Sequence, residues 1–486
     1  MTASAASSRL PGRATQHLAV FVCCLTMFMI AVDTTIVNLA LPLIGRDLGA
    51  TVAGLQWTVA AYTITTASMM LTSGSLGDRF GRRTVLQAGL AVFTAASAGC
   101  GFAPSVGWLI AFRAIQGAAG SALTPMAMGI LTAMFANPSA RARVLGIWSG
   151  TFGIGMATGP VIGGVLAAIW GWRSLFLINI VPGLAGLALS VLVMPQSRAA
   201  RPRRLDPPGQ VLVIAFLACL TGGIIQGPSA GWGSATVLAA FAVAAAALVL
   251  LIPWERRRAD PLIELRVFRN ATFSGAVVIT VSAFACLGGF LFLTTLYLQR
   301  VRELSPWGAG VALLPVAAAT AVAGPIAGRV LARRGGRWPV SVAGAALGAS
   351  CVMLAQSPEA APWALLTAAY LLFGVGYGSV NTVIAAVAVA GMPRDQAGVA
   401  GGITSAGRQA GQSLGVSVIG SILASGLHGQ PLGPGNSLAA SHPAWFMLAG
   451  CGLMVAVLGL ATTARRAAAP APAITEEPVP EREPSI

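Results

Sequence analysis

Residues 17–42 read HLAVFVCCLTMFMIAVDTTIVNLALP, a continuous apolar run that holds one acidic residue, Asp33. The run is longer than the roughly 20 residues that an α-helix needs to cross a bilayer. Similar runs recur along 486 residues, of which 56% are hydrophobic and 9% are charged, whereas soluble domains carry about 25% charged residues. The sequence therefore predicts a polytopic membrane protein. Because the runs are apolar throughout and do not alternate, helices are favoured over a β-barrel.

The charge and the reactive side chains exclude several other classes of protein. The net charge is +16, and all thirty basic residues are arginines in short clusters between apolar runs, whereas a nucleic-acid-binding module gathers its charge on one face. The seven cysteines are scattered, without the spacing of a metal site or a disulfide framework. We therefore expect no nucleic acid, metal or cofactor, and cysteines that pack as small apolar residues.

The apolar segments number fourteen. They fall near residues 18–40, 54–74, 84–103, 107–134, 143–168, 174–194, 210–228, 235–254, 272–298, 307–331, 338–356, 362–390, 402–426 and 443–464. Arg113 and Arg408 lie within segments, and Asp33 is the only acid deep within one. The first run is too long for a signal peptide and lacks a small-residue cleavage site, so we expect a retained helix.

The remaining arginines predict the orientation. With fourteen helices, the loops on one side of the membrane hold four arginines, Arg46, Arg173, Arg300 and Arg302, and the other side holds twenty-four. Cytoplasmic loops carry the excess of basic residues. We therefore expect a multi-pass protein of the cell membrane with both termini in the cytoplasm.

Two loops resemble each other. GSLGDRFGRR (74–83) and GRVLARRGGR (328–337) share glycine at the first and eighth positions and arginine at the sixth and tenth. Repeated halves are typical of transporters. We expect an all-α fold of fourteen transmembrane helices, in two six-helix pseudo-repeat halves with two extra central helices. The expected units are a cytoplasmic N-terminal segment (1–17), a first half (18–194), loops with extra helices 7 and 8 (195–271), a second half (272–464) and a disordered cytoplasmic tail (465–486).

Several stretches resemble motifs of the major facilitator superfamily. GSLGDRFGRRTVL (74–86) resembles its loop signature, LIAFRAIQGAAGS (109–121) its fourth-helix motif and GMATGPVIGG (155–164) its fifth-helix antiporter motif. VDTTIVNLALP (32–42) resembles the first-helix motif of the fourteen-helix drug:proton antiporters, the multidrug and antibiotic efflux branch. One departure is NIVP (179–182), where relatives more often have a single residue between asparagine and proline.

Asp33 is the candidate for proton coupling. An ionised carboxylate near the bilayer centre costs about 2.5–3.5 kcal/mol on insertion scales, so such a group can serve by gaining and losing a proton. Arg113 shares a helical face with Gln116, Gly117 and Gly120, and the resemblance implies that it assists proton release. The alternatives are a permanently paired structural acid and an arginine bound to helix carbonyls.

The fifth segment carries a candidate hinge. Gly155, Gly159 and Gly163 recur every four residues, with Pro160 and Gly164 beside them. Small residues allow close helix packing, and proline can kink a helix. The resemblance implies a gating hinge; ordinary small-residue packing is the alternative.

The 74–83 loop is a candidate latch. Its residues with this predicted role are Gly74, Asp78, Arg79, Gly81, Arg82 and Arg83. An acid fixed among arginines in a glycine frame can join helices by charge, and the resemblance implies a latch that closes the inner side and stabilises the outward-facing state. The alternative is that inside loops are basic in any case.

Polar and aromatic residues within the segments are candidates for a substrate cavity. They are Asn38, Tyr62, Gln116, Gln226, Tyr297, Tyr377, Asn381 and Arg408. Each has packing or interfacial anchoring as its alternative, and for Arg408 a cavity role and a structural role are equally favoured. GVGYG (374–378) lies in an apolar segment without a preceding strand, and no Walker A sequence occurs, so nucleotide-driven transport is not expected.

The resemblance implies a drug:proton antiporter. Such a protein would export an antibiotic or a similar small organic compound, driven by the proton gradient without a cofactor, and we expect a monomer in the lipid bilayer that is not an enzyme. With two intramembrane arginines and one acid, neutral, zwitterionic and anionic substrates are favoured no less than dications. The alternatives are a proton-coupled symporter or uniporter of the same fold, and a membrane sensor or enzyme.

Overall fold

The computed structural model describes residues 13–135, 137–198, 205–258, 260–389, 397–430, 432–433 and 435–462. The tail (465–486) and most of the N-terminal segment (1–17) lie outside the described residues, so what the sequence predicts for them stays a prediction. Within the described ranges, all regular secondary structure is helical.

Sixteen α-helices follow one another in the described part of the chain. They are α1 Arg13–Asp47, α2 Val52–Phe80, α3 Arg82–Gly101, α4 Val106–Met134, α5 Pro138–Trp170, α6 Ser174–Leu177, α7 Ile180–Val193, α8 Pro207–Ala230, α9 Ala235–Arg257, α10 Ala271–Leu296, α11 Pro306–Ala312, α12 Leu314–Arg334, α13 Arg337–Ala355, α14 Trp363–Val389, α15 Ala397–Leu427 and α16 Ser437–Thr462. A 3-10 turn, Leu265–Arg269, precedes α10, and a π turn, Tyr297–Val301, ends it.

Local signals set several helix boundaries. Asn137 caps α5 by accepting hydrogen bonds from two backbone N–H groups, and Pro138 occupies the first turn, where its missing N–H costs nothing. Asp206 caps α8 by accepting from the Gly209 N–H at 3.2 Å. These caps fix where the fifth helix and the extra pair begin.

The two similar loops adopt the same turn. Gly81 after α2 and Gly335 after α12 have φ angles of 98° and 78°, which residues with a side chain rarely adopt. Each donates its backbone N–H to the carbonyl four residues earlier at 2.9 Å. Glycine at the eighth position of both loops is therefore required by the backbone.

By length and composition, twelve helical stretches can cross a membrane, or thirteen when the bent α5 counts as one span. The predicted count of fourteen is not confirmed. The second predicted span, Val52–Phe80, is a helix of 29 residues, but its threonine, serine and glutamine side chains dilute its apolar character. Two other predicted spans contain a break, one between α6 and α7 and one between α11 and α12 at Leu313, but both count among the twelve.

The helices pack in two groups. Helices α1–α7 pack chiefly with one another, and so do α10 and α12–α16. The groups are joined by α2 against α15 and by α11, which packs chiefly against α5. The two extra central helices are α8 and α9. They pack against each other, and α8 also contacts α2 and α15. The pair therefore lies beside the junction of the two groups.

The ends of the helices form two opposite faces. The Asp47 face carries the end of α1, where Asp47 pairs with Arg173, and Arg300 donates to the Pro42 carbonyl at 3.2 Å. The Arg82 face carries the turn between α2 and α3. Arginines that the sequence assigns to opposite sides of the membrane thus lie on opposite faces of the protein.

Candidate functional site

Asp33 lies in the middle of α1 and is 0% exposed. Its Oδ2 accepts a hydrogen bond from Arg113 Nη1 of α4 at 2.9 Å. Its Oδ1 accepts from Gln116 Nε2 of α4 and from Asn179 Nδ2 at the α6–α7 junction, each at 3.0 Å. Both carboxylate oxygens therefore have partners, and these come from two other parts of the first group of helices.

The guanidinium of Arg113 also finds hydrogen-bond acceptors in this network. Its Nη1 also donates to Gln116 Oε1 at 2.6 Å, its Nε donates to the Thr58 carbonyl at 3.2 Å, and its Cζ lies 4.2 Å from the centre of the Tyr62 ring. Gln116 Nε2 donates in addition to Ser97 Oγ at 2.7 Å. We call Asp33, Arg113, Gln116, Asn179 and Ser97 the Asp33 cluster.

The stability of the Asp33–Arg113 pair depends on both of its charges. A buried ion pair adds little net stability, but loss of one charge leaves the other uncompensated at a cost of about 3–5 kcal/mol. Among the described residues, Asp33 is the only carboxylate within 4 Å of a nitrogen of Arg113. Loss of either charge would therefore change the forces that hold α1 against α4.

The glycine face of α5 packs against the part of α1 that carries Asp33. A β-carbon at Gly155 would lie 2.7 Å from the Ala31 Cβ, and one at Gly159 would clash with Thr35. Because real β-carbons do not approach so closely, the two helices need glycine at these positions. The glycine face thus places α5 in direct contact with the helix that holds the buried acid.

The same helix bends by 41° just before Pro160. Proline has no N–H to donate to the preceding turn and its ring crowds that turn, which accounts for the bend. Beyond the bend, Gly163 continues the glycine face against Ile36 of α1, and Gly164 approaches Trp307 of α11. The predicted hinge residues therefore lie together where α5 contacts both groups of helices.

The charged residues of the predicted latch contact only the first group. Asp78 pairs with Arg82 at 3.5 Å, and Arg82 Nη1 donates to the Gly129 carbonyl of α4 at 3.1 Å. Arg83 Nη2 donates to the Val191 carbonyl of α7 at 2.6 Å. The loop makes no described ion pair to the second group in this conformation.

The other latch residues surround that pair. Arg79 lies with its Cζ 5.7 Å from the Phe80 ring centre, and Gly81 packs against the Gln196 side chain. No atom lies within 4 Å of where a β-carbon of Gly74 would be. Gly74 therefore has no steric reason to be glycine in this conformation.

The two groups of helices close against each other toward the Asp47 face. Gln56 of α2 donates to the Ser417 carbonyl of α15 at 2.7 Å. Gln299, next to α10, donates to the Leu39 carbonyl of α1 at 3.1 Å. Toward the Arg82 face, by contrast, Trp148 is the only buried residue of α5 between 143 and 154. The Gln56 and Gln299 hydrogen bonds thus lie on the Asp47 side of the Asp33 cluster, whereas toward the Arg82 face Leu71 of α2 lies close to Gly402 of α15.

The predicted cavity residues divide into three sets. Tyr62 and Gln116 belong to the surroundings of Asp33, and Asn38, also buried, lies further along α1 with Nδ2 3.4 Å from the Thr34 carbonyl. Gln226 is exposed on α8. Tyr297 donates to the Glu359 carbonyl at 2.9 Å near the Asp47 face. The structure does not bring these last two to the Asp33 cluster.

The third set lies in the second group of helices. The Arg408 Cζ of α15 lies 5.5 Å from the centre of the Phe284 ring of α10, and that ring meets Tyr377 of α14 edge-on with centroids 5.6 Å apart. Asn381 lies one turn further along α14. Three of the predicted cavity residues are thus on adjoining helices.

Sequence reasoning missed three polar residues that the structure places between helices. Asn179 and Ser97 complete the Asp33 cluster, and Gln56 joins the two groups. NIVP (179–182) had been noted only as a departure from a motif; the burial cost of a lone asparagine in a membrane segment was the signal available. Among the described residues, no group of three His, Cys, Asp or Glu side chains could hold a metal ion.

Comparison with known proteins identifies the family. The model of the Major Facilitator Superfamily matches residues 23–416. The chain is 36% identical to "Multidrug resistance protein Stp" of Mycobacterium tuberculosis over 413 residues, 85% of this chain and 77% of that protein. It is 38% identical to "Tetracenomycin C resistance and export protein" of Streptomyces glaucescens over 402 residues, 82% of this chain and 74% of the relative.

Solved structures share the fold. A bacterial homologue of the lysosomal transporter Spinster, in an inward-facing and unoccupied conformation, gives a TM-score of 0.64 at 15% identity, covering 93% of this chain and 97% of that one. The peptide transporter POT in complex with sulfate gives 0.66 at 14% identity, covering 91% and 94%. The matched family model spans most of the chain, and the chain belongs to the major facilitator superfamily of membrane transporters.

Proposed function

We propose that this protein is a drug:proton antiporter that exports small organic compounds across the cytoplasmic membrane. The observation that carries the proposal is the Asp33 cluster: a buried carboxylate, held by Arg113 and two amides, on the helix that packs against the bent α5. A group of this kind can link a proton to a conformational change. The names of relatives, among them the "Cephamycin export protein CmcT" of Amycolatopsis lactamdurans at 34% identity, support export as the direction.

The coupling step begins with the proton. When Asp33 binds a proton, it becomes neutral and can keep only one oxygen as a full hydrogen-bond acceptor, so Arg113 and the two amides lose part of their anchor. The forces between α1, α4 and α7 then weaken, and α1 carries the change to α5 through the glycine face. Release of the proton restores the anchor and reverses the movement.

The conformational change consists of opening one face and closing the other. In this conformation the contacts of Gln56 with Ser417 and of Gln299 with Leu39 join the groups toward the Asp47 face. In the alternate conformation these contacts break, and the 74–83 loop joins the two groups at the Arg82 face. The open space at Gly74 is where a helix of the second group would then approach.

The orientation follows from the arginines. The Arg82 face is cytoplasmic, as are both termini, because cytoplasmic loops carry the basic excess. In that orientation the conformation described here is closed toward the outside. The two groups, 18–194 and 272–464, act as the moving halves with the extra helices between them, and one chain contains the whole pathway, so the protein works as a monomer.

The experiment compares three proteins in a drug-sensitive host. The wild-type chain, Asp33→Asn and the control Asp47→Asn are expressed to equal membrane levels, and resistance is scored against a broad antibiotic panel. We expect wild type and Asp47→Asn to resist the same compounds, with resistance abolished by an uncoupler, and Asp33→Asn to resist none. Uncoupler-sensitive resistance in Asp33→Asn contradicts the coupling role, and uptake in place of export by wild type supports the symporter.

A further inference from the structure

The two intramembrane arginines differ in their partners. Arg113 donates to a carboxylate, an amide and a backbone carbonyl. Arg408 makes no hydrogen bond within the described residues, its Nε is buried without a partner, and no described carboxylate lies within 4 Å of its nitrogens. An unpaired charge in a membrane interior is expensive, so its retention calls for a partner that the chain does not supply.

The surroundings of Arg408 suit a flat aromatic guest. The Phe284 ring lies beside the guanidinium and meets Tyr377 edge-on. Tyr377 Oη has one described contact, with Met156 Sδ of α5 at 3.8 Å, across the junction of the two groups. Two amide oxygens, Gln409 Oε1 next to Arg408 in sequence and Asn381 Oδ1 one turn from Tyr377 on α14, are buried without partners. The unpaired cation thus has aromatic rings beside it, and the helices that carry it and Tyr377 hold unsatisfied polar groups.

Arg408 lies on the Arg82 side of the hydrogen bond that joins α2 and α15. It is eleven residues from the Arg82-face end of α15, whereas Ser417, which is held by Gln56, lies nine residues further toward the Asp47 face. A β-carbon at Gly401, about two turns from Arg408 on the same helix, would have no atom within 4 Å, whereas one at Gly402 would lie 3.1 Å from Leu71 of α2. Arg408 itself is partly exposed, so a compound from the Arg82 face would meet its guanidinium before the Gln56–Ser417 contact.

We propose that Arg408 binds an anionic oxygen of the exported compound, a carboxylate or an ionised phenol or enol on a planar ring system, with Phe284 and Tyr377 contacting the rings. A guanidinium binds such a group through paired N–H donors. Arg408 thus selects acids, while Asp33, on the other group of helices and already paired, carries the proton. The inference rests on the proposed function in one respect: the compound that Arg408 binds is taken to be the compound that the protein exports.

The inference also fixes the charge moved per cycle. Export of a monoanion in exchange for one proton moves two charges in the same electrical direction, whereas export of a neutral compound moves one. Each charge responds to the membrane potential by about 50-fold per 100 mV. In vesicles, accumulation of an acid should therefore depend on the potential more steeply than accumulation of its ester.

The test is a binding measurement on the full chain in nanodiscs, without a gradient. The probes are anthraquinone-2-carboxylate and naphthalene-2-carboxylate, each compared with its methyl ester, and the proteins are wild type, Arg408→Gln, Arg408→Lys and the exposed control Arg173→Gln. We expect wild type and Arg173→Gln to bind each acid about 10–100-fold more tightly than its ester. Arg408→Gln should bind acid and ester equally, with ester affinity unchanged, and Arg408→Lys should keep part of the preference.

The outcomes separate the two proposals. Equal binding of acid and ester by wild type, no binding of either acid, or an acid preference that survives Arg408→Gln overturns the assignment of Arg408. Unchanged ester binding shows that the variant is folded. Because binding here needs neither a pH gradient nor export, a failure of antiport leaves this result standing, and a failure of acid selectivity leaves antiport standing.

Discussion

The two acid–arginine pairs of α1 offer a direct comparison of buried and exposed charge. Asp33 and Arg113 have side chains 0% and 2% exposed, whereas Asp47 and Arg173 are 47% and 42% exposed. Arg113→Gln leaves a buried carboxylate without its charged partner, which costs about 3–5 kcal/mol. Arg173→Gln removes an exposed pair, which contributes about 0–1 kcal/mol. We therefore expect Arg113→Gln to lower the free energy of unfolding several times more than Arg173→Gln, although both replace an arginine by glutamine.

A double-mutant cycle tests whether this loss of stability comes from the interaction between Asp33 and Arg113. Asp33→Asn, Arg113→Gln and the double variant are unfolded in mixed detergent–SDS micelles at pH 7.5, beside the corresponding variants of Asp47 and Arg173. The double variant Asp33→Asn/Arg113→Gln should be destabilised by less than the sum of its single variants, because neither charge is then left alone.

Two results would refute this reasoning. If Arg113→Gln acts only through lost packing, it will destabilise the protein no more than Arg173→Gln. Additive effects in the Asp33–Arg113 cycle would show that the 2.9 Å contact carries no interaction energy. The unfolding midpoint and the slope with SDS fraction, measured by tryptophan fluorescence, decide between these outcomes.

Three further predictions follow from individual contacts. Gly159→Val places a branched side chain against Thr35, so we expect transport to fall at least 10-fold while Gly74→Ala, which meets open space, reduces transport less; initial rates in vesicles measure both. Gln56→Ala removes the hydrogen bond between α2 and α15, so a cysteine placed near the Asp47 face should label faster with an impermeant maleimide, and unchanged labelling would count against that contact as a closure. Glu359 accepts hydrogen bonds from the Ser437 hydroxyl, at the start of α16, and from the Gly435 N–H in the turn before it. These bonds, mainly the one from Ser437, hold the pKa of Glu359 below its ordinary value of 4.5. Its stabilising effect should be full above pH 4.5 and be lost as the pH falls through the lowered pKa, so the difference in unfolding midpoint between wild type and Glu359→Gln should shrink between pH 6 and pH 3.

The sequence indicated those residues whose energetic cost can be recognised within one segment. A lone acid in an apolar run identified Asp33, and the glycine spacing with Pro160 identified the bend, because burial of charge and loss of a helix hydrogen bond are properties of single segments. The contact between Asp33 and Arg113 was not predicted, since which faces of α1 and α4 meet depends on the packing of all the helices. Asn179 was missed for the same reason.

Hydropathy also did not predict the helix interruptions. The runs at 174–194 and 307–331 are apolar on average, so hydropathy predicts continuous spans, whereas Pro182 and Pro315, in the first turns of α7 and α12, are the local signals for the breaks. The opposite error arose for α2, whose polar side chains weaken its apolar signal although it is helical over 29 residues. Hydropathy reflects the average polarity of a segment, whereas its breaks and bends depend on individual residues and on packing against other helices.

The central claim is that Asp33 exchanges the proton that drives export. The most direct measurement is the steady accumulation of an exported neutral compound in everted vesicles, with the inside acidic by one pH unit and the membrane potential clamped at zero. One proton exchanged per molecule allows about a 10-fold ratio, since one pH unit is about 1.4 kcal/mol. Wild type and Asp47→Asn should approach that ratio, and Asp33→Asn should reach a ratio of about one while still exchanging labelled for unlabelled compound. Accumulation by Asp33→Asn to the wild-type ratio would contradict the account.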